Sequence, residues 1–116
     1  MPEWAIFWAH LQIGLRENED FEYVPRLGVT TGTVKGVQVD FLEWDLDIAI
    51  DVQGLFWHYG FSAAKQESDQ ETRIRVEAFG LTYVAIDEDD ALRDPIYYLR
   101  EARQGRDHSR AARGVV

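Results

Sequence analysis

The sequence predicts an α/β fold in which a mixed β-sheet lies between helices, and three observations predict it. Two consecutive segments, VQVDFLEWD and LDIAIDVQG, alternate apolar and polar residues as half-buried strands do. Three other segments carry helical spacing with recognisable start and stop residues. Finally, 116 residues with 46% hydrophobic content, including four Trp, five Tyr and six Phe, suffice for a single packed core and leave no room for a second domain.

The elements follow in order. Pro2 suits a first helical turn, and Trp4, Phe7, Trp8, Leu11 and Leu15 recur on one helical face, which predicts an amphipathic helix ending between Gly14 and Asn18. Residues 21–24 begin a strand, after which Pro25, Gly28, Gly32 and Gly36 mark a glycine-rich loop or hairpin. The two alternating segments then suggest an antiparallel hairpin. With Trp44 and Asp45 as its loop, Asp40 faces Ala49 and lies diagonally from Asp51, so that Asp40, Asp51 and Gln53 share one face and the aliphatic residues the other. Ser62 as N-cap, Lys65–Asp69 and Arg73–Glu77 at four-residue spacing, and Gly80 as stop define a second helix. LTYVAID is a strand, and Asp94, Pro95 and Gly105 bound a last helix. The order is α-β-β-β-α-β-α.

Composition narrows the function. The formal charge of −9 opposes nonspecific attraction to phosphate or anionic lipid. Residues 106–116 nevertheless form a locally basic tail, whose natural reading is a frayed end. No window approaches the ~20 apolar residues that span a bilayer, and MPEWAIFWAHLQ lacks a basic leader. With no cysteine, thiolate metal sites and disulfides are excluded, and a cytoplasmic protein is expected. GVTTGTVKG lacks the Gly-Lys-Ser/Thr ending of a phosphate loop and reads as a turn. His10 and His108 belong to no constellation of catalytic residues, while Tyr97, Tyr98 and Leu99 suit the core or a dimer contact.

The polar residues within the strand segments pose the functional question. Two carboxylates aimed at one point repel each other, and a divalent cation relieves the repulsion; Mg²⁺, which prefers oxygen ligands and retained waters, suits such a place. Taken singly, each residue has an ordinary explanation. Asp40 is explained by a solvated strand face, Gln53 by a satisfied backbone group and His58 by aromatic stacking. Glu3 suits a helix dipole, and Asp69 can pair on a helix surface. Asp51 is less ordinary, because Asp is disfavoured in a strand that its apolar neighbours predict to be central.

Order and spacing make the set more informative. Asp40, then Asp51-x-Gln53 on the next strand, followed by a helix, resembles the PD-(D/E)XK nuclease superfamily. VDFLEWDLDIAIDVQGLFWH is similar to the very short patch repair endonucleases and the related EDxHD homing-type nucleases, in which an acid-bearing strand leads into a Gly-x-Phe-Trp-His element. Gly54, Phe56, Trp57 and His58 stand in that element's place, and SDQETRIRVEAFGLTYVAID resembles the family's helix, glycine and final strand. The resemblance spans residues 1–105 in order and is strongest over 39–87. It implies a restriction-endonuclease-like three-layer sandwich over 1–105 with a basic C-terminal tail at 106–116.

The resemblance also implies roles. Asp40 and the carbonyl of Val52 would hold Mg²⁺ or Mn²⁺, with Asp51 as an added ligand. His58 would be the general base, with Asp69 orienting its imidazole. Glu3 would act through a metal-bound water, and Gln53 stands where the superfamily has lysine. The implied function is metal-dependent DNA endonuclease activity, of nicking, repair-like or homing type, in a bacterial or phage setting. Arg26, Lys35 and the C-terminal arginines would meet phosphates. A second reading is a nuclease-fold protein without turnover, acting as a homodimer or within a phage or multiprotein assembly; a third is an acidic inhibitor imitating DNA.

Overall fold

A computed structural model of the chain describes residues 2–24, 26–27, 37–54 and 63–113, the side chains of 26, 27 and 63–69 excepted. Helix α1 (Pro2–Gln12) is followed by β1 (Glu22–Tyr23), β2 (Arg26–Leu27), β3 (Val37–Gln38), β4 (Phe41–Glu43) and β5 (Ile48–Gln53). Then come α2 (Ala63–Ala78), β6 (Thr82–Asp87), α3 (Glu88–Arg93) and α4 (Pro95–Arg103). A four-stranded mixed sheet has the order β1-β4-β5-β6, antiparallel except where β5 and β6 run parallel across the α2 crossover. Strands β2 and β3 pair separately as an antiparallel ribbon, the hairpin expected around the glycine-rich stretch.

The sheet is buried on both faces. On one, Phe41, Ile48, Ile50, Val84 and Ile86 pack with Ile6 and Ala9 of α1 and Leu99 and Ala102 of α4. On the other, Leu42, Ala49, Tyr83 and Ala85 pack with Val37, Val39 and Val76. Helices on both sides of parallel strands explain why β5 and β6 are apolar nearly throughout. Asp94 caps α4 by accepting from the Tyr97 N–H at 3.3 Å, with Pro95 opening the helix as expected. Gly80, at φ 82°, closes α2 in the left-handed conformation that glycine adopts freely.

Four expectations are corrected. First, the face of α1 is different: Ile6, Ala9 and His10 are buried, while Trp4, Trp8 and Leu11 are 62%, 47% and 47% exposed. This helix is apolar nearly all round, so periodicity could not choose between two stripes of similar spacing. Second, the strand expected through residues 37–43 breaks at Val39 and Asp40, so Val37 and Val39 belong to one core and Phe41 to the other. Third, the hairpin loop is longer. Leu42, not Asp40, pairs with Ala49, because Trp44–Leu46 form a 3₁₀ turn closed by Asp47 at φ 54°. A two-residue loop would demand positive φ of Trp44 and Asp45, whereas the longer turn needs it only of Asp47, a residue type that tolerates it.

Fourth, the C-terminal segment is held rather than frayed as far as residue 113. Ser109 is fully buried, and the Asp107 carboxylate accepts the Ala85 N–H at 3.0 Å along the outer edge of β6. Among the described residues, no helix is long and apolar enough to cross a membrane.

Candidate functional site

The break at Asp40 builds the site. Extending the observed register by one step places Asp40 directly opposite Asp51, closer than the diagonal expected. Where ladder bonds would continue, the two side chains substitute for them. The Asp40 N–H donates to Asp51 Oδ1 at 2.8 Å, and the Val52 N–H donates to Asp40 Oδ2 at 2.8 Å. The Asp40 carbonyl accepts from the Val24 N–H at 2.8 Å, fixing the bend against the chain leaving β1. On the far side, the Tyr83 hydroxyl donates to Asp51 Oδ2 at 2.8 Å. Asp40 Oδ1 makes no hydrogen bond among the described residues.

The electrostatics follow from this placement. Burial, then the neighbouring Asp51 carboxylate, push the Asp40 carboxyl up to about 7, with Glu3 adding to the push and the Val52 N–H opposing it. Glu3 and Asp40, after burial, also raise the Tyr23 phenol. Three acids predicted from sequence, Glu3, Asp40 and Asp51, thus act on one locality, where α1 crosses the end of β4 and β5. A divalent cation fits this donor set, because it would neutralise two opposed carboxylates that cannot both ionise cheaply.

The other predicted residues are placed unevenly. Val52 lies in the site through its N–H. Gln53 is on the same sheet face as Asp51 but buried, its Oε1 without a hydrogen-bond partner among the described residues. His58, with Phe56 and Trp57, lies outside the described residues; Asp69 lies in α2, its side chain likewise outside. The C-terminal arginines meet carboxylates of the chain itself: Arg103 pairs with Glu43 at 2.7 Å, Arg106 with Glu101 at 2.6 Å, and Arg110 with Asp89 at 2.7 Å.

Two features were missed from sequence. His10 is fully buried, stacked between Phe21 and Phe41 at 4.1 and 5.0 Å, with Nδ1 2.8 Å from the Ile6 carbonyl and Nε2 3.0 Å from buried Glu43. Asp87, Asp89 and Asp90 form, among the described residues, the one group of three acids with ligand atoms all within 4.8 Å of one another. The sequence signal for the second was the DEDD block itself; for the first, it was a histidine at core spacing from Ile6 and Ile13.

The Tyr83 bond is a testable support of the pair. Replacing Tyr83 by Phe removes one donor to Asp51, with an expected loss of about 1 kcal/mol of stability by urea denaturation. The same change should weaken Mn²⁺ binding severalfold in a calorimetric titration.

Comparison of the chain with protein-family models, with curated proteins and with solved structures returns no match.

Proposed function

We propose that the chain is a metal-dependent endonuclease of the PD-(D/E)XK type, similar to the very short patch repair enzymes, with Asp40 and Asp51 as the acids that hold the ion. The observation that carries this reading is the opposition of Asp40 and Asp51 at the end of β4 and β5, with Glu3 acting on Asp40 from α1. It is supported by the α-β-β-β-α-β order of α1, β1, β4, β5, α2 and β6, with β5 parallel to β6. Mg²⁺ or Mn²⁺ bound there would supply Lewis-acid polarisation of a phosphoryl oxygen and a more acidic water.

The chain's own residues do the rest. Hydrogen bonds from the Asp40 and Val52 N–H groups and the Tyr83 hydroxyl hold the two carboxylates in place, so little reorganisation is needed on loading. Glu3 accepts a proton or orients a water at the open side of Asp40. His58 takes the proton of the attacking water, and Asp69 holds the imidazole tautomer that accepts it. Gln53 gives no charge to the phosphate, unlike the lysine whose place it takes. DNA affinity is then weak and steeply salt-dependent.

Incubation of supercoiled plasmid with the protein and Mn²⁺ should give nicked circles, with Asp40→Asn and His58→Ala at least 100-fold slower. Equal nicking by Asp40→Asn and the natural chain would remove the proposal.

The inward pairing of Arg103, Arg106 and Arg110 favours a second reading, a nuclease-like protein without turnover in an assembly. That reading predicts no nicking with any divalent metal and an oligomer by light scattering.

A further inference from the structure

We propose that Asp87, Asp89 and Asp90, together with the side-chain carbonyl of Gln53, form a second, oxygen-only site for a divalent cation at the end of β6, and that Arg110 competes with the cation for the same carboxylates. The three carboxylates each offer an oxygen within 4.8 Å of the others. Acidic clusters are common, and the cluster alone would say little. Gln53 sets this one apart.

Gln53 is 9% exposed, and its Oε1 is buried with no hydrogen-bond partner among the described residues. The parallel ladder pairs Gln53 with Asp87, so the two are neighbours on adjacent strands with side chains leaving the sheet on one face. A buried carbonyl oxygen that receives no proton therefore stands beside a carboxylate that is 1% exposed. Leaving such an acceptor without a donor is unfavourable, because its lost hydration is not replaced. A hard cation ligated by oxygen removes that cost and gathers the carboxylates at the same time. Mixed carboxylate and carbonyl donors from a strand and a following helix suit Ca²⁺, which accepts irregular coordination, better than Mg²⁺.

Arg110 occupies the same acids. Its guanidinium donates to Asp89 at 2.7 and 3.3 Å and to Asp87 at 3.2 Å, while its backbone N–H reaches Asp87 at 3.0 Å. Arg93 meets Asp90 at 2.7 Å. Two arginines thus face three carboxylates, leaving negative charge in excess. A cation that displaces the Arg110 side chain would loosen the segment that carries Ser109 and Asp107 across the edge of β6.

The inference is independent of the nuclease reading, since it uses different carboxylates and a different ion. Ca²⁺ is titrated calorimetrically into the full chain at pH 7.5 and low salt, and into Gln53→Met, Asp89→Asn, Asp90→Asn and Arg110→Ala. Circular dichroism confirms that each variant folds. Each titration is repeated with Asp40→Asn added, so that the heat of the two acidic centres is separated. Binding should weaken at least 10-fold in Gln53→Met and in whichever Asp variants fold. It should tighten at least 5-fold in Arg110→Ala, which a purely structural ion pair does not predict. Absence of Ca²⁺ binding in both the natural chain and Arg110→Ala overturns the proposal. So does Ca²⁺ affinity unchanged by Gln53→Met, the result expected if that amide only donates to Asp87.

Discussion

Glu43→Ala should lower the unfolding free energy by about 3–5 kcal/mol, because it leaves the half-buried Arg103 guanidinium and the buried His10 ring without their shared acceptor. Glu43 is 1% exposed and receives the Arg103 Nε–H at 2.7 Å on one oxygen and faces His10 Nε2 at 3.0 Å with the other. The Ile6 carbonyl can only accept, so His10 Nδ1 donates to it. Both ring nitrogens thus face acceptors. Phe21 and Phe41 hold that ring between their faces. Together these contacts tie α1 and α4 to β4. In a chain of this size the loss corresponds to roughly 10–25 °C in Tm. Replacing the pair together, His10→Phe with Glu43→Leu, should recover much of it, since apolar side chains of similar volume avoid the desolvation of buried charge. Scanning calorimetry on the two variants decides; a drop below about 1 kcal/mol for Glu43→Ala would contradict the assignment.

Asp40→Asn should act in the opposite sense on stability and function. The carboxyl is raised in the folded state from 3.8 to about 7, first by burial and then by Asp51 and Glu3. A raised acid binds its proton more tightly folded than unfolded, so the protonated group favours the fold. That stabilisation is fully present below about pH 4, is lost as pH rises to about 7, and changes little above. Asn keeps an oxygen to accept the Val52 N–H but carries no charge. At pH 8 the variant should be more stable than the natural chain by on the order of 1–3 kcal/mol, after discounting for partial exposure. At pH 4 the two should agree in urea titrations. Saturating Mg²⁺ at pH 8 should stabilise the natural chain more than Asp40→Asn, because the Asp40–Asp51 repulsion that the ion would relieve is absent from the variant. Plasmid nicking by the variant should fall at least 100-fold. Stability sacrificed at a pair of carboxylates is what the proposed metal site predicts.

Much of the architecture was legible because the signals were local. Alternation marked β5, a rich run of β-formers marked β6, and Asp94-Pro95 with Gly105 marked α4 to within a residue or two. What misled was information that only the assembled sheet contains. The α1 stripe of Trp4, Trp8 and Leu11 is more conspicuous than Ile6, Ala9 and His10, yet the smaller residues let the helix approach the sheet. The hairpin register was misjudged by a two-residue loop length, and the true register turns a diagonal Asp40–Asp51 relation into a direct opposition. The exchange of backbone donors between those two carboxylates has no sequence pattern. His10 appeared ordinary because its partner Glu43 lies 33 residues away in the chain. The basic tail reads as a solvated end by composition, and only β6 and α3 across the fold explain why residues 107–110 are held: the Ala85 N–H meets Asp107, and Asp87 and Asp89 meet Arg110.

Crystals of the chain soaked in Mn²⁺ at pH 8 and measured at the manganese edge test the central claim most directly. An anomalous peak within coordinating distance of both the Asp40 and Asp51 carboxylates is the predicted result. Full occupancy elsewhere with no peak between those two side chains, or no bound manganese at saturating concentration, would contradict it.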